Sequence, residues 1–103
     1  MSFTYVLRPS FDRDFLASAT PAQYEIFQRH GAYLEELHAR GVVRFAGRCL
    51  DGPFGLVVLE TTDEAAARRL MTQDPSVSSG VQQAELYEFA VFLEGPLAEP
   101  QTG

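Results

Sequence analysis

The stretch Val42-Val43-Arg44-Phe45-Ala46-Gly47-Arg48-Cys49-Leu50-Asp51-Gly52-Pro53-Phe54-Gly55-Leu56-Val57-Val58-Leu59-Glu60 decides the fold. Two runs rich in β-branched, aromatic and aliphatic residues flank Asp51-Gly52-Pro53, a turn signal, which predicts a β-hairpin over residues 42–50 and 54–60. Both alternating sets of Leu56-Val57-Val58-Leu59 are apolar, so neither face of this strand reads as purely solvated.

Upstream, Thr20-Pro21-Ala22-Gln23 starts a helix, with Thr at the N-cap, Pro at the first helical position and Gln placed to complete a capping box. The helix is expected to run to Gly41, a residue that tolerates the positive φ of a C-terminal cap. Its apolar stripe is Phe27, His30, Leu34 and Leu37, spaced three and four apart, so one histidine interrupts a face turned towards the interior. Ahead of it, Phe3-Thr4-Tyr5-Val6-Leu7-Arg8 reads as a strand stopped by Pro9. The connection over residues 10–20 is seeded with Phe11, Phe15 and Leu16. Its length fits either a lid or a loop pinned by its aromatics.

Downstream, Thr61-Thr62-Asp63-Glu64 opens a second helix, which ends near Gln73 because Pro75 pushes Asp74 out of the α region. A Ser/Gly loop over residues 76–80 then leads to a last strand over residues 82–92. The order β-α-β-β-α-β is an α+β, ferredoxin-like arrangement, a four-stranded antiparallel sheet with two helices on one face. Residues 1–93 are expected to form the domain and residues 94–103 a flexible tail.

Two helices cannot cover both faces of an apolar sheet, and the uncovered face would be a larger patch than soluble monomers usually expose. The expected cover is a second copy, giving a homodimer packed sheet to sheet with twofold symmetry. The alternative is a tail folded back over the open face.

With 103 residues the chain has room for one domain, and 46% hydrophobic against 21% charged residues is the profile of a globular protein. The net charge of −6 disfavours nucleic acid and anionic membrane surfaces as partners. All eight basic residues are arginine, which excludes lysine Schiff-base chemistry and P-loop phosphate binding. One cysteine, Cys49, has no partner in the chain for a disulfide, and no secretory leader or 20-residue apolar run is recognisable. The expected location is therefore cytoplasmic.

Only two histidines are present, and His30 and His38 lie about 12 Å apart along one helix at ~1.5 Å per residue, too far to share a metal. No metal and no cofactor are expected. His38, at the helix C-terminal end, needs only a charge-dipole role. His30 in the buried stripe is either a core histidine satisfied by protein groups or a working base. Asp74 is either a plain helix-terminating Asp-Pro or a carboxylate that reaches one nitrogen of His30. In the second case it fixes the tautomer and raises the basicity of the other nitrogen, making a general base. Cys49 reads as a small core residue, and no nucleophile elbow surrounds Ser78 or Ser79.

The ordered set His30-Gly31-Ala32-Tyr33-Leu34-Glu35-Glu36-Leu37, Gly41-Val42-Val43-Arg44-Phe45-Ala46-Gly47, Asp51-Gly52, Gly55-Leu56-Val57-Val58-Leu59-Glu60 and Asp74-Pro75 with Gly80-Val81 resembles the YciI-like (YCII-related) family over residues 3–92. That family is similar in fold to muconolactone isomerase, a dimeric α+β barrel. The resemblance implies an active-site histidine at His30 and an aspartate at Asp74. Members of known activity include a dehydrochlorinase of chlorinated hydroxyhydroquinones, so it also implies proton abstraction from a small hydroxylated or aromatic substrate. Asp51-Gly52-Pro53-Phe54 looks like the start of the D-G-P-F-A-E-T-K-E signature of a sister group, but Gly55-Leu56-Val57 departs from it.

Two functions follow as expectations. The first is a small cofactor-free lyase or isomerase in which His30 takes the proton, Asp74 orients the ring, Arg8 or Arg48 holds the developing oxyanion, and Phe11 and Phe15 close over the substrate. The second is a non-catalytic ligand-binding or accessory dimer. An open hollow beside His30 discriminates for the first, and a filled core for the second.

Overall fold

Pro9 and the alternation before it shape the first strand. In β1, Ser2–Pro9, the side chains of Phe3, Tyr5 and Leu7 are buried while Arg8 is exposed. The computed structural model describes residues 1–10 and 19–95. After β1 the described elements are α1 (Pro21–Ala39), β2 (Val43–Arg48), β3 (Gly55–Glu60), α2 (Glu64–Gln73), α3 (Pro75–Ser78) and β4 (Gln82–Glu88).

The sheet has the order β2-β3-β1-β4 with every neighbouring pair antiparallel. Antiparallel register fixes which side chains share a face, because opposed residues point the same way. Tyr5 lies opposite Val57 and Leu86, and Leu7 opposite Gly55 and Ala84. This face meets Leu37 of α1 and Ala67 and Met71 of α2 in a single core. The chain is thus an α+β, ferredoxin-like fold with its helices packed on one face of a four-stranded antiparallel sheet.

The caps explain the helix boundaries. Thr20 accepts from the Gln23 amide at 3.2 Å and its own amide donates to the Gln23 side chain at 2.9 Å, a complete capping box. Gly41 follows the helix at φ +77°, where any Cβ would be strained. α2 starts later than the threonines imply. Asp63 is its N-cap, accepting from the Ala66 amide at 2.8 Å, and Thr61 instead donates to the Asp63 carbonyl.

Two further boundaries differ from expectation. Residues 76–80 are not wholly loop, because Pro75 opens a single helical turn, α3, capped by Asp74. β4 ends at Glu88 rather than residue 92, because β1 offers no further residues to pair with. The Phe89 amide bonds the Ser2 carbonyl at 2.9 Å, and the ladder stops there. Beyond it Glu94 pairs with Arg44 of β2, which also holds Ser2 and Glu60.

The outward sheet face is mixed. Thr4 and Val58 are buried on it, whereas Phe45 and Tyr87 are 47% and 50% exposed. None of the helices among the described residues is long and apolar enough to cross a membrane.

Candidate active site

Asp74 is the hinge between α2 and α3. Its φ of −60° and ψ of 124° follow from Pro75, which disfavours helical backbone at the preceding residue. That kink turns the carboxylate inward, where it is wholly buried. A buried carboxylate is tolerated only if its lone pairs are satisfied. The Ser76 amide and hydroxyl donate to Oδ1 at 3.0 and 2.9 Å, and the Tyr5 hydroxyl donates to Oδ2 at 2.8 Å. His30, from the middle of α1, brings Nδ1 to 2.8 Å from both oxygens.

The electrostatics follow from this crowd of donors. Burial alone raises the Asp74 carboxyl, but the hydrogen bond and charge of His30, aided by Tyr5 and the Ser76 amide, outweigh it and hold the group below the usual carboxylate range. Asp74 is therefore the anionic partner at neutral pH. Tyr5 is pushed far above the ordinary tyrosine value, first by burial and then by the charge of Asp74, so its hydroxyl stays a donor. Tyr33 donates to the Leu70 carbonyl at 2.6 Å, and burial followed by the Asp74 charge pushes it up to about 12.

A carboxylate accepts only, so Nδ1 of His30 carries the ring hydrogen in the neutral imidazole and Nε2 carries the lone pair. His30 lines a hollow of about 350 Å³ between α1 and the hairpin end of the sheet. Its walls are chiefly apolar, with Leu7, Phe27, Leu34 and Leu56, joined by Arg48, Cys49 and Gln82. This volume is at the small end for ligand sites. A basic nitrogen facing such a hollow can accept a proton from a small bound molecule.

The structure brings His30 and Asp74 together and places Arg48 on the wall of the same hollow. Arg8 is placed elsewhere. The alternation that turns Phe3, Tyr5 and Leu7 inward turns Arg8 to the opposite sheet face, where it is exposed and 3.7 Å from Glu85. Phe11 and Phe15 lie outside the described residues. Cys49 is half-buried and lines the hollow rather than filling the core. His38 is exposed in the last turn of α1. Among the described residues no three His, Cys, Asp or Glu side chains converge to hold a metal ion.

Sequence reasoning did not single out Tyr5, Ser76 or Gln82. Tyr5 carries a signal in hindsight, since its position in the inward set of β1 buries a hydroxyl that must find an acceptor.

The sequence profile of the YCII-related domain matches residues 5–90, a span that contains both halves of the His30–Asp74 pair. The chain belongs to the YCII-related family. Among solved structures, this YCII-related chain is similar to a 5-chloro-2-hydroxyhydroquinone dehydrochlorinase (TftG) from Burkholderia phenoliruptrix AC1100 in complex with 2,5-dihydroxybenzoquinone. The TM-score is 0.64 at 16% identity, over 87% of this chain and 94% of the other. At that identity the likeness is one of fold. The search of curated proteins gave no match.

Proposed function

We propose that this YCII-related chain is a small cofactor-free lyase or isomerase that abstracts a proton from a small hydroxylated or aromatic substrate with the His30–Asp74 pair. The observation that carries the reading is Nδ1 of His30 held at 2.8 Å by both oxygens of a buried Asp74 while the same ring lines an open hollow. A core histidine with a merely structural task needs no hollow beside it.

In this mechanism the substrate O–H bond breaks and its proton passes to Nε2 of His30. The pair left on oxygen forms a carbonyl as the chlorine-bearing ring carbon takes a proton back from the imidazolium. A second ring hydroxyl then gives its proton to Nε2, and its pair forms a second carbonyl through the ring. The C–Cl bond breaks with chloride leaving on its bonding pair, so that HCl is lost and a hydroxyquinone remains. Asp74 fixes the tautomer and stabilises the imidazolium, a contribution of about 10²–10⁴ in rate for a positioned base. Arg48 on the wall of the hollow faces the developing negative charge. The structural relative is a dehydrochlorinase held with a dihydroxybenzoquinone, which supports a ring of that kind as the first substrate to try.

The test is chloride release from 5-chloro-2-hydroxyhydroquinone by the wild type and by His30→Gln. Turnover by the wild type, falling by at least about a hundredfold in the variant, is the expected result; an undiminished rate in His30→Gln overturns the mechanism. Binding of the ring by the wild type without chloride release favours the ligand-binding module instead.

The same proposal includes a homodimer through the outward sheet face, supported by the exposed Phe45 and Tyr87 flanking the buried Thr4 and Val58. The cytoplasm is the proposed location, in keeping with a lone cysteine.

A further inference from the structure

Gln82 opens β4, opposite Pro9 and on the same sheet face as Leu7 and Ala84. The residue is only 8% exposed, yet among the described residues its Oε1 has no hydrogen-bond partner. Such an orphan costs stability that a leucine or methionine there would not, so it calls for an explanation.

The hollow provides one. Gln82 lines it beside His30, in a wall otherwise built from apolar side chains and Arg48. A change in its side-chain torsions can turn the carboxamide, whose oxygen is buried in the structure, toward whatever fills that space. An unpaired carbonyl oxygen needs an O–H or N–H donor. The apolar surroundings and the small volume select a single, mostly carbon ring to carry it.

We infer that Gln82 is a substrate-positioning residue whose carboxamide accepts a hydrogen bond from a ring hydroxyl of the ligand, so that the hollow selects hydroxylated rings over their ethers. The inference rests on the hollow being the ligand site of the function proposed above. It adds a second recognition element, because Nε2 of His30 accepts from the hydroxyl that reacts while Gln82 accepts from another hydroxyl of the ring.

The experiment is an NMR titration of the wild type and Gln82→Met with hydroquinone and with 1,4-dimethoxybenzene, combined with thermal unfolding of both proteins. The wild type is expected to bind hydroquinone at least about tenfold more tightly, each hydrogen bond in a dry site being worth up to about that much. In Gln82→Met the preference is expected to shrink by about fivefold or more, the remainder belonging to His30, while Tm stays level or rises because the orphan amide is gone. Equal affinities in the wild type, no binding of either ring, or an undiminished preference in Gln82→Met overturns the assignment. A Tm lowered by several degrees in Gln82→Met gives the side chain a structural role and overturns it too. Should that variant not fold, Gln82→Asn shortens the arm by one carbon, and its preference must fall likewise. The proton-transfer reading fails by a different result, chloride release untouched by His30→Gln, so the two outcomes are told apart.

Discussion

Asp74 receives four donors from three residues, the Tyr5 hydroxyl, the His30 ring, and the amide and hydroxyl of Ser76. Because they hold its carboxyl below the ordinary range, the folded state binds that proton less well than the unfolded chain does. The resulting stability is fully present above the usual carboxylate value of about 3.9 and is lost as pH falls through the depressed value of the folded state. Urea midpoints measured from pH 6 down to pH 2 are expected to drop more steeply for the wild type than for Asp74→Asn, which has no proton to gain at that position. Equal slopes would show that other carboxylates govern the acid limb.

The sequence made this residue pair legible for two separate reasons. The three-four spacing of α1 turned His30 towards the interior, and Asp-Pro marked a break in the helix where a side chain leaves the regular pattern. It did not reveal the rest of the cluster. Ser76 sat in what read as a Ser/Gly loop, and Gln82 looked like the polar start of a strand. Arg8 is the converse case. Its outward direction follows from the same alternation that buries Tyr5, and register outranks its nearness in sequence to the site.

At the scale of elements, caps and turn residues set the boundaries. Gly41 ends α1 at φ +77° and has open space around its missing Cβ, so a methyl group there meets backbone strain and no steric clash. Gly41→Ala is expected to cost about 1 kcal/mol, seen as a lowered urea midpoint with an unchanged m-value. A change much larger than that would mean that β2 shifts with the cap. The helices and the hairpin were readable because each carries local punctuation, Thr20-Pro21 and Gly41 at one, Asp51-Gly52-Pro53 at the other. The end of β4 was not, since Ala90-Val91-Phe92 has strand-like composition and the true limit is the length of its partner, β1. A boundary set by a neighbouring strand leaves no mark in its own residues.

For the molecule as a whole, the outward face of the sheet exposes two large aromatic side chains. Phe45 on β2 and Tyr87 on β4 stand at opposite edges of it, with Thr4 and Val58 buried between them. A second copy seated there would desolvate both rings at once, and a charge at either edge would oppose it. Sedimentation velocity is expected to show a dimer for the wild type and a folded monomer for Phe45→Arg. A wild type that sediments as a monomer at every concentration removes the dimer from the proposal.

The Tyr5–Asp74 and His30–Asp74 bonds span 69 and 44 residues of chain. No short stretch of polypeptide contains the proposed site; it is drawn from the first strand, the first long helix and the kink after the second. The pair can therefore assemble only once the chain has closed on itself, late among folding events that favour local contacts. Under the proposed function, competence is a property of topology completed, so a truncated or half-folded chain is expected to be inert even with His30 and Asp74 both present.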